Sequence, residues 1–269
     1  SDLTKKQQTL STGTSKIKMD LSVGQPEVDF DSNILDVVVP KELEKSVKTG
    51  YKNIDTLFAG DGILPSTSAL ITGLPGAGKT TLMLQLADAI TASGNIALYN
   101  TGEESLYQVR RVVKRLNLQH GFVPGYNRTV QDICAHAEQL QEVKANKNKK
   151  IFLITDSLQT LEVEREEGKR GRNLSKQNEE VAAIEYLTRW AKDTFNISLV
   201  IGQVNKGGTF AGKQEVKHII DCHLHLAYDT ERGSSSYGER IAEMTKNRFG
   251  CAGVYYPYEI SQSGISFHL

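Results

Sequence analysis

The stretch GLPGAGKTT at positions 73–81 constrains this chain more tightly than any other. It fits the spacing G-x-x-x-x-G-K-[ST] in full, directly after the apolar run ALITG and directly before a run of helical periodicity. Gly73, Gly76 and Gly78 let the backbone curl until the N–H groups of the loop, those of Gly76, Ala77 and Gly78 among them, face the phosphates of a nucleotide. The positive end of the following helix adds to that field. Lys79 then reaches the β- and γ-phosphate oxygens, Thr80 holds Mg²⁺ and Thr81 completes the cradle. Such a loop requires a strand before it and a helix after it, so the chain is expected to be an α/β protein that binds ATP.

The rest of the sequence is consistent with that class. A chain of 269 residues with 39% hydrophobic residues can bury a large core. Lys and Arg balance Asp and Glu at 32 each, so a hold on nucleic acid has to come from local basic patches and not from a field around the whole molecule. Cys134, Cys222 and Cys251 are odd in number and far apart, which argues against a disulfide framework and fits a reducing compartment. No apolar run reaches 18 residues and the first 20 lack a signal-like apolar core, so a cytoplasmic protein with no membrane partner is expected.

Residues 1–48 read as a flexible arm and linker, rich in Ser, Thr, Lys and Gln at first, with one apolar run, NILDVVVPKEL, at 33–43. That run reads as a strand or as a docking segment for a neighbour. From position 49 to 269 short β-rich runs alternate with longer amphipathic ones, which predicts a mostly parallel, twisted sheet flanked by helices. The strands are read as ALITG, IALYN, IFLITD, ISLVIGQ, CHLHLAY, RIAEMTK and VYYPYEI. Helical spacing links Met83, Leu86, Ala87 and Ile90, then Leu106, Val109, Val113 and Leu116, then Ile133, Ala137 and Leu140, and last Val181, Ile184, Leu187 and Trp190. Ser105 with Gln108, and Thr129, are the expected caps.

Asp156 closes the buried run IFLIT at the carboxyl end of a strand, where open α/β sheets bind their ligands, and is expected to share the Mg²⁺ with Thr80. Glu103 and Glu104 follow another strand, IALYN. One can serve as the base that activates water, and Glu103 is the choice; acids also suit a helix start, the reading that fits Glu104. Lys246 and Arg248 in TKNRFG leave one face of a strand end together.

The order TGYKNIDTLFAGDGILPSTSALITGLPGAGKTT, LYNTGEESLYQVRRVVKRL, LITDSLQT, VIGQVNKGGTFAG and TKNRFG resembles the RadA/Sms family, a DnaB-like branch of the RecA-type motor ATPases, over about residues 49–260. The resemblance implies a RecA-like core that forms rings on single-stranded DNA and extends branched intermediates in homologous recombination and repair. It also implies that the nucleotide lies between copies, with Lys246 and Arg248 of one copy reaching the γ-phosphate held by the next. Partners implied are single-stranded and branched DNA, further copies of the chain, and a recombinase or single-strand-binding protein.

Two loops would line the DNA path in such a protein. The first, 162–176, carries Arg165, Lys169, Arg170, Arg172 and Lys176; the second, 205–217, carries Lys206, Lys213 and Lys217, with Phe210 at its tip to stack on a base. Gln203, just before the second loop, is placed to sense the γ-phosphate, although bacterial RadA proteins usually carry His there. The family's four-cysteine zinc ribbon and Lon-like domain have no counterpart in the sequence, which reads as a bare motor core with ATP and Mg²⁺ and no zinc. A filament-forming strand-exchange recombinase and a KaiC-like regulatory switch without DNA remain the alternatives.

Overall fold

The computed structural model describes residues 24–165, 175–207, 209–212 and 214–268. Its strands are β1 (Ser68–Gly73), β2 (Ile96–Thr101), β3 (Val123–Gly125), β4 (Ile151–Asp156), β5 (Ile197–Ile201), β6 (Cys222–Tyr228), β7 (Arg240–Asn247), β8 (Tyr255–Ser261) and β9 (Gly264–Phe267). They form one sheet in the order β3-β2-β4-β5-β1-β6-β7-β8-β9. Neighbours from β3 to β6 run parallel, and β6 to β9 are antiparallel. β1, β2, β4 and β5 are buried at every position, which is why each reads as a nearly unbroken apolar run.

Alternate residues of these strands face opposite layers. Ala69, Ile71, Tyr99, Phe152 and Ile154 pack with α1 (Lys52–Ala59), α2 (Lys79–Ala92) and α3 (Leu106–Arg115). Leu70, Leu98, Leu153 and Val200 pack with α4 (Val130–Glu142), α5 (Lys176–Thr194) and α6 (Gln214–Ile219). The expected inward stripes hold: Met83, Leu86, Ala87 and Ile90 on α2 and Val181, Ile184, Leu187 and Trp190 on α5 are all buried. Each large apolar side chain so buried contributes about 1.5–3 kcal/mol. Ser105 and Thr129 cap α3 and α4 by accepting the N–H of Gln108 at 3.3 Å and of Asp132 at 3.4 Å.

The register separates two rims of the sheet. Gly73, at the carboxyl end of β1, pairs with Leu226, whereas Ala69, near its amino end, pairs with Cys222, and Asn247 at the end of β7 lies opposite Cys222. The end of β7 therefore sits about 13 Å below the phosphate rim of its own chain, four residues at 3.3 Å each. Among the described residues no helix is long and apolar enough to cross a membrane.

Candidate functional site

The loop between β1 and α2 turns on Gly76 and Gly78, whose φ values of +79° and +98° favour glycine. It is braced from outside by Tyr258, whose hydroxyl donates to Ala77 O at 2.7 Å, and by Arg240, which donates to Gly76 O at 3.3 Å. The β8–β9 hairpin closes on it so tightly that a Cβ on Gly78 would lie 2.8 Å from Ile265 Cδ1. Lys79 Nζ donates to Gly73 O at 2.6 Å and Leu74 O at 3.2 Å. Burial lowers its pKa, and the carboxylates of Asp156 and Glu103 oppose that shift, so the ammonium belongs to one charge cluster with both.

β5 lies between β1 and β4 in the sheet, and Asp156 ends β4 on the same rim as the loop. Its Oδ2 accepts the Thr80 hydroxyl at 2.7 Å and the Tyr99 hydroxyl at 2.6 Å. Burial raises the Tyr99 phenol well above its usual range, and the neighbouring Asp156 carboxylate adds to that, so the phenol stays a donor that fixes the carboxylate. A Mg²⁺–nucleotide fits these residues: a hydroxyl and a carboxylate converge within hydrogen-bond distance beside a lysine and a glycine-turned loop. Thr80 and Asp156 would hold the cation, which supplies neutralisation of phosphate charge when bound.

Glu103 and Gln203 meet although 100 residues separate them. Gln203 Nε2 donates to Glu103 Oε1 at 2.7 Å, and the Ser157 hydroxyl donates to the same oxygen at 3.0 Å. The Gln203 backbone N–H is held by Gln159 Oε1 at 3.2 Å. Glu104 has a different place: its N–H and its carbonyl both bond the Thr101 hydroxyl at the turn before α3, and its side chain is exposed. Tyr99, Ser157 and Gln159 escaped the sequence reading. Tyr99 was the recoverable one, because strand alternation puts it on the same face as Ala97; nothing local marks the other two.

Lys246 and Arg248 lie at the opposite rim. Lys246 Nζ donates to the carbonyls of Lys217 and Ile220, each at 2.8 Å, and so caps the carboxyl end of α6. Arg248 Nη1 meets Asp221 Oδ1 at 2.6 Å, and the Asp221 side chain is fully buried while that of Arg248 is 40% exposed. Asp221 also accepts the Ser68 N–H at 2.9 Å.

The DNA-loop residues are only partly where the sequence placed them. Phe210 is not at an exposed tip: it is 5% exposed and packs in the α4–α5 core, pressed against Gly202, where a Cβ would come within 2.8 Å of its ring. Val204 bridges Phe210, and Asn205 Oδ1 ties the N–H groups of Gly207 and Thr209 at 3.0 Å, so the aromatic ring anchors a short turn from below. Lys217 is also not in the loop; it is half-buried on α6 with Nζ 6.0 Å from the Phe210 ring centroid. Lys176 begins α5 and is exposed, as are Arg165 and Lys206. Lys169, Arg170, Arg172 and Lys213 lie outside the described residues.

A family model described as "ATPase: KaiC" matches residues 47–269. The chain belongs to that ATPase family. It is an ATP-hydrolysing enzyme of RecA-like fold. DNA repair protein RadA of Haemophilus influenzae is 34% identical over 218 residues, spanning 81% of this chain and 43% of the relative. RadA of Aquifex aeolicus is 29% identical over 255 residues, spanning 93% and 50%. The chain thus spans about half the length of these curated relatives, and the resemblance to RadA read from the motifs is borne out. The solved ATPase domain of G40P superposes with a TM-score of 0.64 at 15% identity, covering 84% of this chain and 92% of that one. A DnaB-like replicative helicase gives 0.65 at 15% identity over 82% and 63%. Both likenesses show the fold.

Proposed function

We propose that residues 49–269 are the motor core of a DNA-stimulated ATPase that assembles into a ring, translocates on single-stranded DNA and acts in recombination and repair in the cytoplasm, with 1–48 as its arm and linker. The observation that carries this reading is the separation of the cations. Arg248 lies on the rim opposite the Lys79 loop of its own chain, so its guanidinium serves catalysis only for a nucleotide held by a neighbouring copy.

In that arrangement the loop N–H groups and Lys79 hold the β- and γ-phosphates, with Thr80 and Asp156 as the cation's ligands. Glu103 takes a proton from a water that attacks the γ-phosphorus as the bond to the leaving oxygen of ADP breaks. Lys79 and the neighbouring copy's Arg248 balance the charge on the departing group, a contribution of roughly 10³–10⁵ in rate for such an arginine. A γ-phosphate offers the Gln203 amide a second acceptor beside Glu103, so the residue that opens the second loop reads nucleotide state. Arg165, Lys176, Lys206 and Lys213, with Lys169, Arg170 and Arg172, supply contacts to the phosphate backbone. The RadA relatives are named as DNA repair proteins, which supports DNA as the partner.

The test is complementation. Lys79→Ala and Arg248→Ala copies are each expected to be inactive alone and to regain ATPase activity when mixed, because each supplies what the other lacks. No recovery in the mixture counts against a shared site. If single-stranded DNA neither binds in a salt-dependent way nor raises the rate, a nucleotide-gated switch without DNA replaces this reading.

A further inference from the structure

A cavity of about 380 Å³ opens on the rim that carries Arg248. Small-molecule sites usually span roughly 300–1,000 Å³, so it is large enough for one. Pro65 and Ser66 in its wall precede β1, and Phe195 precedes β5. It therefore lies at the amino ends of the strands, away from the phosphate loop of its own chain and from the segments that follow β4 and β5.

The lining joins an apolar wall to a cluster of cations. Leu64, Pro65, Phe195 and Phe249 supply the wall. Arg189, Lys192 and Arg248 supply the charge. Glu185, Arg189 and Lys192 share one face of α5, at steps of four and three residues. Beneath them Asp221, whose side chain is fully buried, meets Arg248 Nη1 at 2.6 Å with one oxygen and Lys192 Nζ at 3.5 Å with the other, so one carboxylate serves two cations. Burial pushes the Glu185 carboxyl up to about 7, with Arg189 opposing the shift and Glu215 adding to it, which leaves the group about half-ionised at neutral pH. Three cations against Asp221 and a half-ionised Glu185 leave more than one positive charge facing the cavity.

The backbone supplies an independent sign. Among the described residues only Ser66, Asn117 and Phe195 hold a left-handed φ without being glycine, and two of the three, Ser66 at +68° and Phe195 at +54°, line this cavity. Phe195 ends α5, at a position where glycine is the common choice, and a bulky side chain is held there at a cost. Such residues gather at ligand sites. Here the outlier sets an aromatic ring in the wall beside the α5 cations.

We propose that this cavity binds a nucleoside monophosphate, its phosphate between Lys192 and Arg248 and its base against Phe195, and that occupancy withholds Arg248 from the nucleotide of the neighbouring copy. A phosphate monoester carries roughly −1.5 to −2 charge at neutral pH, which answers the surplus, and a guanidinium engages it through two parallel bonds. The base offers a flat π-face to the Phe195 ring and to the Arg189 guanidinium. The hold on Arg248 rests on the shared-site reading above; the binding does not.

The test begins with calorimetric titration of AMP into the full chain, with Mg²⁺ and a saturating non-hydrolysable ATP analogue filling the phosphate loop. One AMP per chain is expected, and adenosine or inorganic phosphate alone should bind at least ~10-fold more weakly, since each lacks half of the ligand. Arg189→Ala and Phe195→Gly are each expected to weaken AMP binding at least ~10-fold with an unchanged dichroism spectrum, because Arg189 is exposed and glycine suits the φ at 195. No AMP binding, inorganic phosphate binding as tightly as AMP, or affinity unchanged in both variants overturns the site. AMP should also inhibit ATP hydrolysis by the unaltered chain, with its half-effect near the calorimetric Kd, and the same dose should leave Phe195→Gly close to its own uninhibited rate. Binding without inhibition, or inhibition that persists in Phe195→Gly, overturns the hold on Arg248. Mixing Lys79→Ala with Arg248→Ala copies reports on the shared site alone, and calorimetry on the cavity alone, so the two readings fail separately.

Discussion

At the scale of single residues, the candidate site is built on two hydrogen-bonded carboxylates, Asp156 with Thr80 and Tyr99, and Glu103 with Gln203 and Ser157. Glu103 is held by Gln203 and Ser157, which orient the carboxylate. Glu103→Gln is therefore expected to lower single-turnover hydrolysis by about 10²–10⁴ while leaving nucleotide affinity within a few-fold. Equal losses in both would remove Glu103 as the base. Next to the loop, the Thr72 hydroxyl lies 2.6 Å from His223 Nε2 and 2.8 Å from His225 Nδ1. Burial, with His225, Lys217 and Lys246 adding to it, lowers the His223 pKa to about 3. The unfolded chain binds a proton near pH 6.5 that the folded chain refuses until about pH 3. Stability is thus unaffected by this group above pH 6.5 and falls as pH drops below it, by up to about 2 kcal/mol at pH 5. Denaturant titrations at pH 7 and pH 5 should show that loss shrinking in His223→Gln; an unchanged pH dependence would assign the loss to other groups.

At the scale of elements, Phe210 decides what the second loop is. As a core anchor it contributes to stability, and Phe210→Ala should cost about 3 kcal/mol in unfolding free energy. A stacking role at the tip would instead cost roughly 1–3 kcal/mol in DNA binding and nothing in stability. Urea unfolding alongside DNA titration separates the two. The sequence misplaced this ring for a physical reason: a Phe flanked by glycines and lysines has the composition of an exposed loop, and only the tight Val204–Phe210 bridge turns it inward. The same limit hid α6 inside what read as loop, because six residues give too little periodicity to register. β3 and β9 were missed likewise, one a three-residue strand with Pro124 and the other four residues long. The seven longer strands and four longer helices were legible because their burial is continuous or periodic. Of the site, Gly73–Thr80 and Asp156 were readable from local spacing. The Glu103–Gln203 contact was not, since it depends on the parallel register of β2, β4 and β5.

At the scale of the whole molecule, the sheet holds two rims apart. The rim beyond Gly73 carries the phosphate loop, Asp156, Glu103 and Gln203, and the opposite rim carries Arg248 on buried Asp221. The core between them is closely packed, so bringing the two rims of one chain together would require unfolding it. Catalysis that needs both rims must draw on two copies, and its rate must depend on how many copies meet. The specific ATPase activity of the full chain is therefore expected to fall in proportion to concentration once the protein is diluted below the dissociation constant of its assembly. Excess Lys79→Ala copies, which hold no productive nucleotide but keep Arg248, should restore turnover to the dilute unaltered chain. The same excess carrying Arg248→Ala as well should not, because it supplies the contact without the guanidinium. Constant specific activity on dilution would mean that one rim suffices and that the Arg248–Asp221 pair serves only to hold α6 against the sheet.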